Sequence, residues 1–446
     1  MIKQLKCIKC IKFNNSIQLR FLSNAVSFTA VERQPNLPLS TKNPSKSYKL
    51  KVPLLKSPSH LGHATSRVNR LYNEDKYSAN VLNLKTDKYD KTIFNFNIFD
   101  GHGGDQCSNY LSDNLSQQIE DSNDLINNID NQRDQLFKNY AQNIGGYWKR
   151  WYRHCEKHLE NWCKNEINLE NLNNINNDDI KLRLSLSFLN SDYKFFNKDE
   201  KSGSTCTSAL IETIYSSPDK QFQPFFETYY FNRHTISKLT IAQVGDTKAI
   251  LVDKNGIANS VTEDHHPSNP IEATRLRKYA ANFFMTDSFG EERFIALANT
   301  RSFGDIDYKE VGVIAEPDIY QFIIGDSAEV KKHLTPDEIK KYTINGLGGD
   351  ESFLILVSDG ITNILTDQEI ADIISSHFNM QGHTKANPQS CAHEVIKFVE
   401  YVGGDDNATC LVIRLNGWGK WPNIDRTGEL RQARLDDFNP RNRGGG

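Results

Sequence analysis

Acidic side chains beside glycines, with one arginine and one histidine among them, are the residues here that could do chemistry. Glu74 and Asp75 lie in RLYNEDKYS, and Asp100 opens DGHGG after the run FNFNIF. Asp246 sits in VGDTKA, Asp264 precedes His265 and His266, and Asp305 closes TRSFGD. Asp359 lies in LVSDGI and Asp406 in GGDDNAT. Singly, an Asp-Gly after a strand is a turn signal and nothing more. FNFNIF and FLILVS, however, are strands of buried type, so Asp100 and Asp359 stand on rigid supports near sheet ends. Several carboxylates converging without matched cations repel unless metal ions neutralise them. Mg2+ and Mn2+ take such oxygen ligands, with water completing the octahedron. Gly101, beside Asp100, lets a backbone carbonyl approach as well. Two metals about 3.5–4 Å apart clamp and acidify a bridging water, which makes a protein nucleophile unnecessary. Arg70, four residues before Glu74, suits bidentate phosphate binding, and His102 suits protonation of a leaving oxygen. This combination indicates phosphoester hydrolysis. A serine hydrolase using Ser204 or Ser358 is set aside, because no G-x-S-x-G elbow surrounds either residue.

The elements that must hold these residues are legible as runs. TIFNFNIFD, TCTSALIETIY, SFLILVSDG and ATCLVIRL read as strands. KLTIAQVGDTKAILVDKNG reads as a hairpin, with Gly245-Asp246 at one bend and Asn255-Gly256 at the next. DQCSNYLSDNLSQQI reads as a helix capped by Asp105, and TDQEIADIISSHF as one opened by a Thr366–Glu369 capping box. AHEVIKFVEYV is a third helix. Hairpins with interspersed helices argue α+β, not a regular βαβ repeat. Leu111 to Asn190 is Asn-rich and reads as a helical insertion plus loop. Within it, YWKRWYRHCEKHLENWC mixes aromatic and basic residues, which could stack on RNA. Trp148, Trp151, Cys155, Leu159 and Trp162 recur at helical spacing, so a packed helix face with its cations in solvent is the better reading.

Composition bounds the partners. The chain has 446 residues, 38% hydrophobic, with a net charge of -3, which gives no global pull toward nucleic acid or anionic membrane. No apolar run approaches the length of a membrane helix. The 8 cysteines include one CxxC, Cys7 and Cys10, with no second pair at zinc-ligand spacing, so neither a zinc site nor a disulfide framework is expected. Met1 to Ala30 holds no acid, while Lys3, Lys6, Lys9, Lys12 and Arg20 interleave with Ile2, Leu5, Ile8 and Ile11. That reads as a mitochondrial transit peptide, with RFLS (Arg20 to Ser23) suited to processing by a matrix protease. A disordered basic tail or a nucleic-acid arm is the alternative. The expected division is a transit peptide over residues 1–30, a proline-bearing linker over 31–47, a catalytic domain over 48–416 with its insertion at about 111–190, and a tail over 417–446.

The motifs together resemble the metal-dependent type-2C serine/threonine protein phosphatases. RLYNED, FDGHGG, SGSTCTSAL, VGDTKAIL, EDHHP, LANTRSFGDIDYK, EPD, LILVSDGI and GGDDNAT occur in that family's order from Arg70 to beyond Thr409. The resemblance implies a four-layer α-β-β-α sandwich of two antiparallel sheets flanked by helices, with the metal site at one end. It implies two Mg2+ or Mn2+ ions and a metal-bridged hydroxide. Asp100 would bridge both ions. Glu74 and the Gly101 carbonyl would complete the second, and Asp359 and Asp406 would hold the first. Asp75 would hydrogen-bond metal waters, Arg70 would bind phosphate and His102 would act as general acid. A weaker third ion would use Asp246, but the acid many members carry four residues past Asp359 is Asn363 here. The residue after Asp-His, usually basic, is His266. The long insertion resembles that of mitochondrial, fungal-type members and of relatives acting on the pyruvate dehydrogenase complex. The expected protein is a mitochondrial monomer acting on phosphoproteins, in the matrix or intermembrane space. A pseudophosphatase, keeping the fold as a binding module without the chemistry, is the alternative. Its cheap discriminator is loss of a core ligand, and Glu74, Asp100, Asp359 and Asp406 are all present.

Overall fold

The computed structural model describes residues 23–31, 47–85, 90–172, 179–196, 200–217, 229–280, 284–286, 292–295, 297–382 and 384–438. In chain order its first strands are β1 (Ala25–Val31), β2 (Ser47–Pro53), β3 (Leu61–Ser66), β4 (Lys76–Lys85), β5 (Asp90–Phe99) and β6 (Gly101–His102). Helices α1 (Gln106–Glu120), α2 (Asn123–Ile126), α3 (Gln132–Asn139), α4 (Gly146–Tyr152), α5 (Cys155–Trp162) and α6 (Ile180–Phe196) follow. Next come β7 (Gly203–Ser204), β8 (Cys206–Ser216), β9 (Thr235–Val244), β10 (Lys248–Val252) and β11 (Ala258–Ser260). Then α7 (Pro270–Ala280) precedes β12 (Phe284–Thr286), β13 (Glu292–Phe294) and β14 (Phe303–Gly304). The remainder is α8 (Ile306–Lys309), β15 (Asp318–Gly325), α9 (Ser327–His333), α10 (Pro336–Tyr342), β16 (Phe353–Val357), α11 (Asp359–Thr362), α12 (Asp367–Gln381), α13 (Pro388–Tyr401), β17 (Ala408–Arg414) and α14 (Gly428–Asp437).

Two five-stranded antiparallel sheets carry the molecule, in the orders β15-β9-β8-β5-β4 and β11-β10-β16-β17-β3. Successive strand residues point to opposite faces, so Phe94, Phe96 and Ile98 of β5 meet Leu251, Leu354, Leu356 and Leu411 of the other sheet in the inner core. On the outer face of the first sheet, Ile93 and Phe99 pack with Leu111 and Leu115 of α1 and with Leu184 and Phe188 of α6. On the outer face of the second, Ile355 and Val412 pack with Ile370 and Ile374 of α12 and with Val395 and Val399 of α13. The layers are therefore α-β-β-α, the α+β sandwich expected. The polar alternates of β5 are not solvated: Asn95 and Asn97 are fully buried beneath α1. Asn95 donates to Ser208, Asn97 donates to Ser78 and Ser116, and the Ser116 hydroxyl donates back to Asn95. Each buried amide is paired, as burial demands.

Four expectations need correction. Strands β9 and β10 are not a hairpin: they belong to opposite sheets, and Gly245-Asp246-Thr247 carries the chain across the sandwich edge. Periodicity fixes a strand's faces but not which sheet it joins. The second bend, at Asn255-Gly256, does close the β10–β11 pair. Asp105 stands at the N-terminus of α1 without a side-chain cap bond and instead faces Lys76 at 3.7 Å. The folded body starts before Tyr48: β1 pairs with β2 along its whole length, Val26 lies in the inner core, and the Ser23 carbonyl accepts from Val81 at 2.7 Å. Residues 25–30, counted with the expected transit peptide, therefore lie in a paired strand. Residues 1–22 of the expected transit peptide and 32–46 of the expected linker lie outside the described residues. Nor does the domain end at 416. Trp418 and Trp421 pack on Phe353 and Phe378, and α14 ties to α12 through Arg434–Glu369 at 2.9 Å.

The insertion is a small helical layer with its own core. Trp148, Trp151 and Trp162 are buried with Phe137 and Tyr140, and Cys155 and Leu159 are partly buried against them. Lys149, Arg150, Arg153 and Lys157 are exposed, the packed-face arrangement expected. Both outer rings aim their N–H at Glu316: Trp151 Nε1 at 3.1 Å and Trp162 Nε1 at 3.0 Å.

Candidate active site

Register collects the chemistry at one end of the sandwich. Lys76 of β4 stands opposite Phe99 of β5, Cys206 of β8 opposite Val244 of β9, and Lys248 of β10 opposite Val357 of β16, which faces Cys410 of β17. Glu74 and Asp75 precede β4, Asp100 follows β5, Asp246 follows β9, Asp359 follows β16 and Asp406 precedes β17. Antiparallel pairing therefore brings six acids from five distant stretches to the same edge.

Their environments are not those of independent surface carboxylates. Burial pushes Asp75 up to about 6, with Asp359 and Asp406 adding to it, against hydrogen bonds from Thr409 at 2.7 Å and Ser358 at 2.8 Å. Both bonds go to Oδ2, and the buried Oδ1 has no hydrogen-bond partner. Burial, then Asp75, Asp359 and Asp246, hold Asp100 well above the carboxylate range. Burial raises Asp359 as well, with Asp406 adding to it and Asp100 and Asn363 opposing it. Asp246 is pushed up to about 7, by burial and then by Asp359. Like charges in a low-dielectric site raise one another in this way when no cation compensates.

Among the described residues no set of three or more His, Cys, Asp or Glu side chains stands at metal-ligating geometry. The oxygens are turned to nearer donors. Glu74 Oε1 accepts from Gly104 N at 2.7 Å, and Asp406 accepts from Asn407 N and from Arg70, both at 2.8 Å. The chemistry of the set still fits divalent cations. It is all oxygen, it contains an orphaned buried carboxylate oxygen, and its members raise one another's pKa for want of positive charge. Gly101 has a packing reason as well: a Cβ there would lie 2.6 Å from the Glu74 carbonyl.

Arg70 pairs with Asp406 and donates to the Asp405 carbonyl at 2.9 Å, with its side chain more than half exposed at the mouth of the site. His102 Nε2 bonds Asp305 Oδ2 at 2.7 Å. Burial opposes charge on this ring, but Asp305, with Asp246 and Glu74, outweighs it and holds the pKa above its ordinary value. Strands β6, β7 and β14 form a three-stranded ribbon that sets this pair, with His102 opposite Gly203 and Gly203 opposite Gly304. His265 ties down the turn bearing Asp246, accepting from Gly245 N at 3.0 Å and bonding Asp318 at 3.0 Å.

Sequence reasoning singled out Asp305 as a strand-end acid without finding its partner. It also missed Asn407, which accepts from Glu74 N and donates to the Tyr72 carbonyl, knitting two acidic loops together. The adjacency of Asn407 to Asp406 was the available signal. Ser358 and Ser204 are structural: Ser358 donates to Asp75 and accepts from Thr409 N, and Ser204 donates to the Thr205 carbonyl. Asn363 donates to Asp359 at 3.3 Å, where an acid would have repelled it.

The model of the family described as Protein phosphatase 2C matches residues 121–330 and 339–408. The chain is 33% identical over 395 residues to Protein phosphatase 2C homolog 4 of Schizosaccharomyces pombe, covering 87% of this chain and 88% of that one. It is 34% identical over 184 residues to mitochondrial Protein phosphatase 1K of Xenopus laevis, 41% of either chain. A solved phosphatase from Toxoplasma gondii aligns over 80% of this chain and 92% of its own, at TM-score 0.48 and 17% identity.

Proposed function

Because the chain belongs to the protein phosphatase 2C family, whose members are metal-dependent serine/threonine protein phosphatases, we propose that its clustered acids hold two Mg2+ or Mn2+ ions. Asp100 would serve both ions, Glu74 and the Gly101 carbonyl would help hold one, and Asp359 and Asp406 would help hold the other. Asp75 orders water beside them. Asp246 is the candidate for a weaker third ion, without help from Asn363. Bound there, the cations supply Lewis-acid stabilisation and an acidified water. Arg70 leaves Asp406 to grip the phosphate through two N–H groups. His102 gives its proton to the seryl or threonyl oxygen as the P–O bond breaks. The observation that supports this reading is the gathering of Asp75, Asp100, Asp246, Asp359 and Asp406 at one edge of the sandwich, with a buried oxygen of Asp75 left unpartnered. A binding-only pseudophosphatase gains nothing from a cluster kept complete.

Protein beginning at Ser23 should release phosphate from phosphothreonine and phosphoserine peptides with Mn2+ or Mg2+, and lose that activity in a chelator. Hydrolysis undiminished by chelation refutes the metal assignment.

We further propose mitochondrial substrates, pyruvate dehydrogenase complex subunits among them. The support is the acid-free basic start of the chain, the similarity to a relative named as mitochondrial, and the long insertion. Residues 1–22 fused to a fluorescent reporter should reach mitochondria, and a diffuse cytosolic signal refutes this. Mitochondrial phosphoproteomics after gene deletion should show the substrates as persistent phosphosites.

A further inference from the structure

The segment Ser302–Asp305 takes an unusual backbone path. Gly304 has φ +70° and Asp305 φ +50°, the left-handed region that non-glycine residues enter sparingly, Asp among the more tolerant of them. What holds it is a buried polar chain. Lys309 and Asp192 are both fully buried and pair at 2.9 Å. Lys309 Nζ donates to the Ser302 carbonyl at 2.6 Å, and Asp192 Oδ1 accepts from Gly304 N at 2.8 Å. The Ser302 hydroxyl donates to Asp305 Oδ2, the oxygen that faces His102.

The far end of this chain is in the insertion. Tyr140, fully buried and stacked on Trp148 at 4.2 Å, directs its single hydroxyl proton between Asp192 Oδ2 at 2.9 Å and the Leu189 carbonyl at 2.8 Å. The insertion also grips both flanks of the catalytic segment: Tyr147 N donates to the Glu310 carbonyl at 2.8 Å, and the two tryptophans hold Glu316. A buried ion pair is tolerated only when further hydrogen bonds support it, and buried polar networks of this kind rigidify what they hold.

We propose that the helical insertion is a positioning device for His102, acting through Tyr140, Asp192, Lys309 and Ser302 on Asp305. Asp305 occupies Nε2, so the ring nitrogen left to face the leaving group is Nδ1. The insertion thereby helps set the direction in which the proton is delivered. Asp305 and Tyr140 are positioning residues, since neither touches the reacting atoms. The proposal rests on His102 being the general acid, and the test separates the two.

Kinetics of wild type, His102→Ala, Asp305→Asn and Tyr140→Phe should be measured with Mn2+ on two substrates. A phosphothreonine peptide leaves as an alkoxide that needs a proton, whereas p-nitrophenyl phosphate leaves as a stable phenolate that does not. General acid catalysis contributes roughly 10²–10⁴-fold, so His102→Ala should lose at least about 100-fold in kcat on the peptide and far less on the aryl ester. Asp305→Asn should fall the same way by about tenfold or more, and Tyr140→Phe by about threefold, each with peptide KM unchanged. The ratio of the two kcat values does not depend on the fraction of protein that is folded, so a destabilised variant still reports. Selective loss in His102→Ala, with equal or no loss on both substrates in Asp305→Asn and Tyr140→Phe, overturns the positioning role alone. No selectivity in His102→Ala overturns the acid assignment and this inference with it. An inactive wild type overturns the proposed function itself.

Discussion

Gly203 lies between the paired side chains of His102 and Asp305. A Cβ there would stand 2.2 Å from His102 Nε2 and 2.3 Å from Asp305 Oδ2, closer than real atoms approach. Gly203→Ala should therefore separate the pair, reducing phosphopeptide kcat about tenfold or more by the general-acid argument. Overpacking of this kind typically costs about 1–3 kcal/mol, so the variant should still fold, with its two losses read by kinetics and by denaturant unfolding. Glu351 offers a test of a different kind. It is buried, accepts from Gly325 N at 3.1 Å, leaves Oε1 without a partner and is pushed up to about 7 by burial. Its folded pKa exceeds the unfolded one, so its contribution is complete below about 4.5 and is lost as pH rises through about 7. Glu351→Gln resembles the protonated form and should reduce the loss of stability between pH 5 and pH 8, as measured in urea. A pH profile identical to that of wild type would count against this. At this scale the sequence was legible where residue type marks a candidate, as at Arg70, Glu74, Asp100 and Asp406, which the fold brings to one edge. It was not legible where partners meet only in three dimensions, as His102 and Asp305 do across 203 positions.

Among the elements, strands ending in acids announced themselves, because their apolar runs and the turns after them are local signals. The β9–β10 crossing did not, since every residue of β9 is buried and nothing local says which sheet comes next. The insertion was readable as a helical layer from its tryptophan spacing, but its anchor was not. Glu316 is half-buried and accepts from Trp151, Trp162 and His158; against the opposing effect of burial, His158 first, then Trp151 and Arg301, hold its carboxyl below the ordinary value. Glu316→Ala strands those donors, and each hydrogen bond to a charged group is worth about 1.5–3 kcal/mol, so a stability loss of about 3 kcal/mol is expected. Limited proteolysis should then cut first within residues 121–179. Cleavage spread evenly over the chain would show that Glu316 is not the insertion's anchor.

For the whole molecule, alternation and helix signals gave the α+β class and the four layers, while the domain's edges escaped them. The N-terminal ribbon joins strands separated by residues 32–46, and the C-terminal contribution is two tryptophans and a mostly polar helix. Truncation after residue 416 removes Trp418, Trp421 and α14. Deleting a buried Trp side chain costs about 3–5 kcal/mol, so the truncated protein should unfold at markedly lower denaturant or not accumulate at all. A midpoint unchanged from full length would restore residue 416 as the boundary. The central claim is that strand register gathers distant carboxylates into a site for two divalent cations. Calorimetric titration of metal-stripped protein with Mn2+, alongside phosphopeptide hydrolysis, tests it most directly. Wild type should bind two ions and become active, and Asp406→Asn should lose one of them with most of the turnover. Undiminished stoichiometry and activity in Asp406→Asn, or full activity before any metal is added, would contradict it.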